Sequence, residues 1–398
     1  MHLPVLSTLL LGGGSMASRL YAASYDGKVT ELQLSNADDH NSEPALAKIS
    51  ETDECGTSPS WLMLDEEHDI LYCLDEGVDL PKGGITSFEK NDDGSLTKVE
   101  RRETITGPVS SAFYSPANAS HLQFFAVAHY AGSAVTTYVV DRTTGHFNHS
   151  QTFNFTMSGP GPDASRQDAP HPHGVFVDPT GRFIIVPDLG ADLLRIFNVH
   201  PTSGALKQQE PLVMSPGSGP RHAVFWTPEE IPSARTQQST TRFYLVSELD
   251  NTLKAYDVSY PSNGTIHFSQ FYAENTFGGE TPSSEAKAGE IGLSPDNTNI
   301  LISNRLDNTF GAENGSNTDS LAVFGLPDEH SDEVSFDGLY PSFGPSARHF
   351  SFSPRGDLLA IALQSKKVVF ADWEHGRPEP LLAELQLGGE VTAVVWDL

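Results

Sequence analysis

The sequence predicts an all-β fold, a seven-bladed β-propeller with four antiparallel strands in each blade. Three observations lead there. Apolar runs are short, about four to eight residues, rich in Val, Ile, Phe, Tyr and Thr, and none repeats with a helical period. A strand–turn–strand unit recurs seven times, at a spacing of roughly 50 to 60 residues that signals an array of blades. The first unit lacks a leading strand, whereas residues 391–396 supply one to spare. The C-terminal strand therefore closes the ring by joining the N-terminal blade, which leaves only short, protected edges.

Taken in order, the paired runs are 19–24 with 29–34, 71–74 with 84–88, 124–128 with 134–140, and 183–186 with 193–199. They continue with 243–247 and 253–258, 300–303 and 321–324, and 358–363 and 368–371. Each unit after the first is preceded by a further short run: 61–64, 111–114, 174–177, 223–226, 290–293 and 349–352. Turn chemistry follows most of these, as in Asp178-Pro-Thr-Gly181 and Ser294-Pro-Asp296. Irregular, polar stretches lie at 158–170, 228–240, 274–287 and 308–319. None has the length or composition of a linker, so residues 18–398 read as one domain.

The chain carries 52 acidic and 24 basic residues, a formal net charge of −28. That field repels nucleic acid and anionic membrane surfaces. An anionic small molecule could bind only where arginines cluster locally. Residues 1–17 hold a broken apolar run ending in Ser15-Met-Ala17, which suits a cleaved secretory leader and is too short to span a bilayer. Sequons stand at Asn118, Asn148, Asn154, Asn263 and Asn314, as expected of a secreted glycoprotein; a cytoplasmic protein is the alternative. Cys55 and Cys73 are the only cysteines and are expected to pair if the protein is exported. A monomer without cofactor is expected.

In such a meander, the loop leading into an inner strand and the loop leaving the second strand share one face. The leading loops carry His171 and His173, then Arg221 and His222, then Arg348 and His349. The leaving loops carry Asp75 and Glu76, His129 and Tyr130, Asp188, Glu248, Arg305 and Gln364. Topology thus gathers histidines, arginines and carboxylates at one mouth of the central channel. Glu248 ends a buried strand, and a buried Glu is rare unless paired, with Arg221 or Arg305 as the expected partner. Asp188 and Asp192 are expected to brace turns. His171 and His173 with a carboxylate make only a weak zinc pattern, and no metal is expected.

His171-Pro-His-Gly174, Gly217-Ser-Gly-Pro-Arg-His222, Ser247-Glu-Leu-Asp-Asn251, Ser303-Asn-Arg305 and Arg348-His-Phe350, taken in that order, resemble the lactonase family of seven-bladed β-propellers. That family includes carboxy-cis,cis-muconate lactonising enzymes and 6-phosphogluconolactonases. The resemblance runs from about residue 19 to 398 and implies a site in the central channel. It implies catalytic roles for His173, Glu248, Arg221 and Arg305, with Arg348 and Gln364 nearby. His171 and His222, gathered at the same mouth, are further expected substrate contacts, although one histidine of the His-Pro-His pair is expected to be structural and to bond a neighbouring blade. On that basis the first expectation is lactone-ring chemistry of the muconate-cyclase type. There His173 or Glu248 would deliver a proton while Arg221 and Arg305 hold carboxylates. A 6-phosphogluconolactonase-like hydrolase and a non-catalytic secreted propeller are the alternatives.

Overall fold

The computed structural model describes residues 18–35, 44–227, 241–311, 317–327 and 333–397. The expected leader, the 228–240 insertion and the sequon at Asn314 lie outside them. Seven sheets, each hydrogen-bonded in meander order, form the ring. Blade 1 takes its inner strand from the far end of the chain. Val391–Asp397 pairs antiparallel with Ser18–Ser24, ahead of Lys28–Ser35 and Ala45–Thr52. Blades 2 to 7 then begin at Pro59–Asp65, Pro108–Tyr114, Phe176–Val177, Pro220–Trp226, Lys287–Leu293 and Ala347–Phe352.

The strands alternate so that both faces of each sheet are buried. The middle strands, such as Ile70–Asp75 and Leu358–Leu363, are buried at every residue. Seven separate apolar clusters result, one between each pair of neighbouring blades. For example, Tyr244, Leu253, Ile300 and Phe324 join blades 5 and 6, while Leu20, Leu32, Phe370 and Trp396 join blades 7 and 1. Outer strands such as Leu96–Ile105 and Arg377–Gln386 are largely exposed.

Six of the seven inner strands share a defect that builds the site. In blades 1, 2, 3, 5, 6 and 7 the register slips by one residue near the channel mouth, between Ala23 and Ser24 or after Pro59, Pro108, Pro220, Ala288 and Ala347. A β-bulge re-aims the unpaired side chain. The unpaired residues Thr392, Ser60, Val109, Arg221 and Arg348, with Glu290 in the slip of blade 6, all line one cavity on the ring axis. Several of these side chains also reach the next blade. Thr392 donates to Pro59 O (2.7 Å), Ser60 to Pro108 O (2.7 Å), and Arg221 Nη1 to Gly289 O (2.8 Å).

Blade 4 departs from the expected pattern. Its inner strand is only Phe176–Val177, not 174–177. Pro172 forms an isolated bridge with Asp188, and Val175 donates its N–H sideways to Ser110 Oγ of blade 3. A Cβ on Gly174 would sit 2.4 Å from the Phe176 ring and 2.9 Å from Arg221 O. Glycine there lets the His-Pro-His loop pack against the neighbouring inner strand.

Candidate active site

Short polar straps fix the leading loops. Asp188 accepts from the N–H groups of His171 (2.7 Å) and Ala191 (3.0 Å) and pairs with Arg195. Asp192, with φ of 51°, reaches from blade 4 to the loop ahead of Arg221 and accepts from Gly217 N, Ser218 Oγ and Gly219 N. Asn251 clamps Ala286 O and Ala288 N of blade 6 in the same way. Both aspartates brace loops, as their turn chemistry predicts.

Glu248 is the hub of the charged cluster. Its Oε2 accepts from Arg221 Nε (3.0 Å) and Arg305 Nη2 (2.9 Å), and its Oε1 from Arg166 Nη2 (2.6 Å). Burial pushes the carboxyl upward, but Arg305, Arg166 and Arg221 outweigh it and hold Glu248 well below the usual carboxylate range. Three guanidiniums around one carboxylate leave a local excess of two positive charges inside a protein of net charge −28. Burial and the neighbouring Arg305 pull Arg221 down to about 9 despite Glu248, so it remains a cation at neutral pH. Gly289 makes room for this pairing, since a Cβ there would meet Ser303 Oγ at 2.7 Å and Arg305 Nε at 3.3 Å.

Beside the arginines runs a chain of buried imidazoles. His222 Nδ1 lies 2.7 Å from Glu290 Oε1, and His222 Nε2 lies 3.2 Å from His173 Nδ1. A carboxylate only accepts, so His222 carries its proton on Nδ1 and accepts through Nε2 from His173. The lone pair of His173 is thereby placed on Nε2. Burial lowers the pKa of His173 well below the ordinary value, with Arg221 adding to it, and lowers His222 as well. Burial also raises Glu290, but His222 and its hydrogen bond bring that carboxyl down to about 2. His349 is held at about 4, mainly by burial; its Nδ1 accepts from Val394 N (3.3 Å). Trp61 sets its ring edge-on to both His222 and His349. The cluster is therefore a neutral base held by an ionised acid at neutral pH.

Arg348 closes the opposite side, over the Tyr25 ring and 3.7 Å from Glu76 Oε2, to which the Tyr25 hydroxyl also bonds.

Several expectations change. Glu248 is fully committed to three arginines and firmly ionised, which makes it a poor proton donor. His171 has both ring nitrogens engaged, Nδ1 with Tyr130 O (2.8 Å) and Nε2 with Asp168 (3.0 Å), and stacks on Tyr130; it braces the loop and is not among the cavity residues. Gln364 is not among the cavity residues and pairs with Glu390 at 2.9 Å. Arg305 binds Glu248 and Ala288 O without lining the cavity. As expected, Cys55 and Cys73 are joined by a disulfide, with Cα atoms 5.9 Å apart, at the interface of blades 1 and 2.

Two residues of the cluster carry little signal in the sequence. Arg166 stands in the irregular stretch 158–170, where no strand pattern marks it. Glu290 sits in an apolar run, Ala288-Gly-Glu-Ile-Gly292, where a lone acid amid buried neighbours was the available signal.

Comparisons with known proteins bear on the family and the fold. The family described as "Lactonase, 7-bladed beta-propeller" matches residues 19–396. An Arthroderma benhamiae protein named "Probable 6-phosphogluconolactonase" is 29% identical over 336 residues, covering 84% of this chain and 78% of its own length. A Formosa agariphila 6-phosphogluconolactonase is 26% identical over 364 residues, 88% of this chain and 92% of its own. Among solved structures, the Pseudomonas aeruginosa periplasmic gluconolactonase superposes with a TM-score of 0.73 at 20% identity, over 96% of this chain and 99% of that one, which speaks to the fold. With the ring, its closure and a family match across nearly the whole chain in agreement, this protein belongs to the lactonase family of seven-bladed β-propellers.

Proposed function

We propose that the protein hydrolyses a lactone, with His173 as general base. The observation that carries this reading is the Glu290–His222–His173 chain, which ends in an unprotonated ring nitrogen in the same cavity as Arg221 and Arg348. Hydrolysis requires a base to take a proton from water as its oxygen attacks the lactone carbonyl carbon. It also requires cations to stabilise the oxyanion that forms. His173 Nε2 accepts that proton, and the guanidiniums supply the charge. When the carbonyl re-forms, the ring C–O bond breaks and imidazolium returns the proton to the departing ring oxygen. The product is an open-chain hydroxy acid. Glu248 holds the arginines and moves no proton. The names of the relatives favour hydrolysis over cyclisation, and a 6-phosphogluconolactone-like substrate is the finer reading.

The test is turnover of 6-phosphogluconolactone, glucono-δ-lactone and carboxymuconate by purified protein. Hydrolysis of a lactone, lowered by about 10²- to 10⁴-fold in His173→Asn, is expected. Inertness toward both lactones would remove the reading, and turnover of carboxymuconate would restore cyclisation.

Export belongs to the same proposal. The sequons at Asn118, Asn148, Asn154 and Asn263 are all exposed. A mobility shift on endoglycosidase treatment of the protein from its natural host is expected; no shift, together with a retained Met1, would overturn export.

A further inference from the structure

Of the three guanidiniums on Glu248, two are locked. Arg221 is fixed by Glu248 and Gly289 O, and its side chain is 3% exposed. Arg305 is fixed by Glu248 and Ala288 O, and is 13% exposed. Arg166 differs. It alone occupies Oε1, its side chain is 32% exposed, and its remaining contact is a long one of 3.4 Å to the Tyr130 hydroxyl. It is the most exposed of the three.

The loop that carries Arg166 is built to hold it there. Gln167 is fully buried; its side chain donates to Leu189 O (3.0 Å) and accepts from Asp163 N (3.3 Å). Gly161 N bonds Gln167 O, and Asp163 accepts from Ser165 N and Oγ. Asp168, the next residue but one, is tied to His171. A loop anchored on both sides of one partly exposed cation, which joins the surplus positive charge on Glu248 without lining the cavity itself, has the form of a recognition element. The protein as a whole repels anions, so selection of a charged substrate must happen at such a local cation.

We propose that Arg166 is a specificity-determining residue that binds the anionic group of a charged lactone, phosphate or carboxylate, remote from the reacting carbonyl. This rests on the lactone-hydrolase reading. The planar fork of arginine can hold either group with two parallel hydrogen bonds, which lysine cannot reproduce. Arg166 is then a selector between anionic and neutral lactones, while Arg221 and the histidines serve both.

Steady-state kinetics of the wild type, Arg166→Ala and Arg166→Lys, on glucono-δ-lactone and its 6-phosphate, test this. For the 6-phosphate, KM should rise about ten- to a hundred-fold in Arg166→Ala and less in Arg166→Lys, with kcat little changed. For the neutral lactone, the loss of kcat/KM should be at least about tenfold smaller than for the 6-phosphate. Equal losses on both substrates, or none on either, would overturn the assignment. If the wild type hydrolyses neither lactone, the functional reading fails on its own. Calorimetric titration with 6-phosphogluconate then decides about Arg166. Binding at least about tenfold weaker in Arg166→Ala supports it, and equal affinity, or no binding by the wild type, ends it.

Discussion

At the scale of single residues, the site divides into groups that react and groups that hold. Glu248 holds. Replacing it by Gln removes the charge that gathers Arg166, Arg221 and Arg305 and leaves buried cations uncompensated, so a loss on the order of 3–5 kcal/mol of stability is expected. KM should rise and kcat fall together in Glu248→Gln, read by thermal denaturation alongside kinetics; a drop in kcat alone, with unchanged melting, would mean that Glu248 moves a proton after all. Arg221→Lys keeps the charge but loses the fork that spans Glu248 and Gly289 O. A fall in kcat/KM of roughly thirty- to a thousand-fold is expected, and near-normal kinetics would reduce Arg221 to a structural ion-pair partner. His173, Arg221, His222 and Arg348 were legible in the sequence because each falls at the same point of the repeat, just where an inner strand begins. Arg166 was not, because a loop packed by Gln167 has no period. The partnering of Glu248 was legible, since a buried acid at a strand end demands cations, but its three-to-one surplus depends on where a distant loop lands.

At the scale of elements, the bulge does the positioning. One extra residue in an inner strand turns a side chain that would face a neighbouring sheet into the axis, and in blades 5 and 6 the leading loop is strapped to the blade before it. Asp192 shows what a strap contributes: it gives three acceptor contacts to residues 217–219, just ahead of Arg221. Asp192→Ala should cost on the order of 2–4 kcal/mol, because the freed donors are buried. It should also lower kcat/KM although Asp192 does not line the central cavity. Unchanged kinetics with lowered melting would show that the strap holds the fold and not the site. Strand order and ring closure were readable from turn chemistry and the spare C-terminal run. The bulges were not, because register depends on pairing partners that the sequence pattern leaves unstated; nor was the shortened inner strand of blade 4, which yields to Pro172 and to the packing of Gly174.

At the scale of the whole molecule, stability should depend on acid earlier than carboxylates alone would require. His129 is buried, with Nε2 2.8 Å from Thr136 Oγ1, and its pKa is lowered to about 4 chiefly by burial; His349 is lowered to about 4 as well. The unfolded chain takes up these protons near pH 6.5 and the folded chain only near 4. The stabilisation is complete above about 6.5 and is lost as pH falls toward 4, on the order of 3 kcal/mol for each such histidine. Glu290, folded near 2, adds a further loss below about 4.5. The melting temperature should therefore begin to fall near pH 6.5, and a flat profile down to pH 5 would contradict the buried neutral histidines. The latch between Val391–Asp397 and Ser18–Ser24 has a temporal side too. Ribosomes add about 5–20 residues per second, so Ser18–Ser24 waits roughly 20 to 75 s for its partner to be made. Throughout that wait its backbone edge is open to strands of other nascent chains. A circular permutant that begins at Val391 and is linked into Ser18 would carry both halves of the latch from the outset, and would pass through synthesis with no orphaned edge for a chaperone to guard.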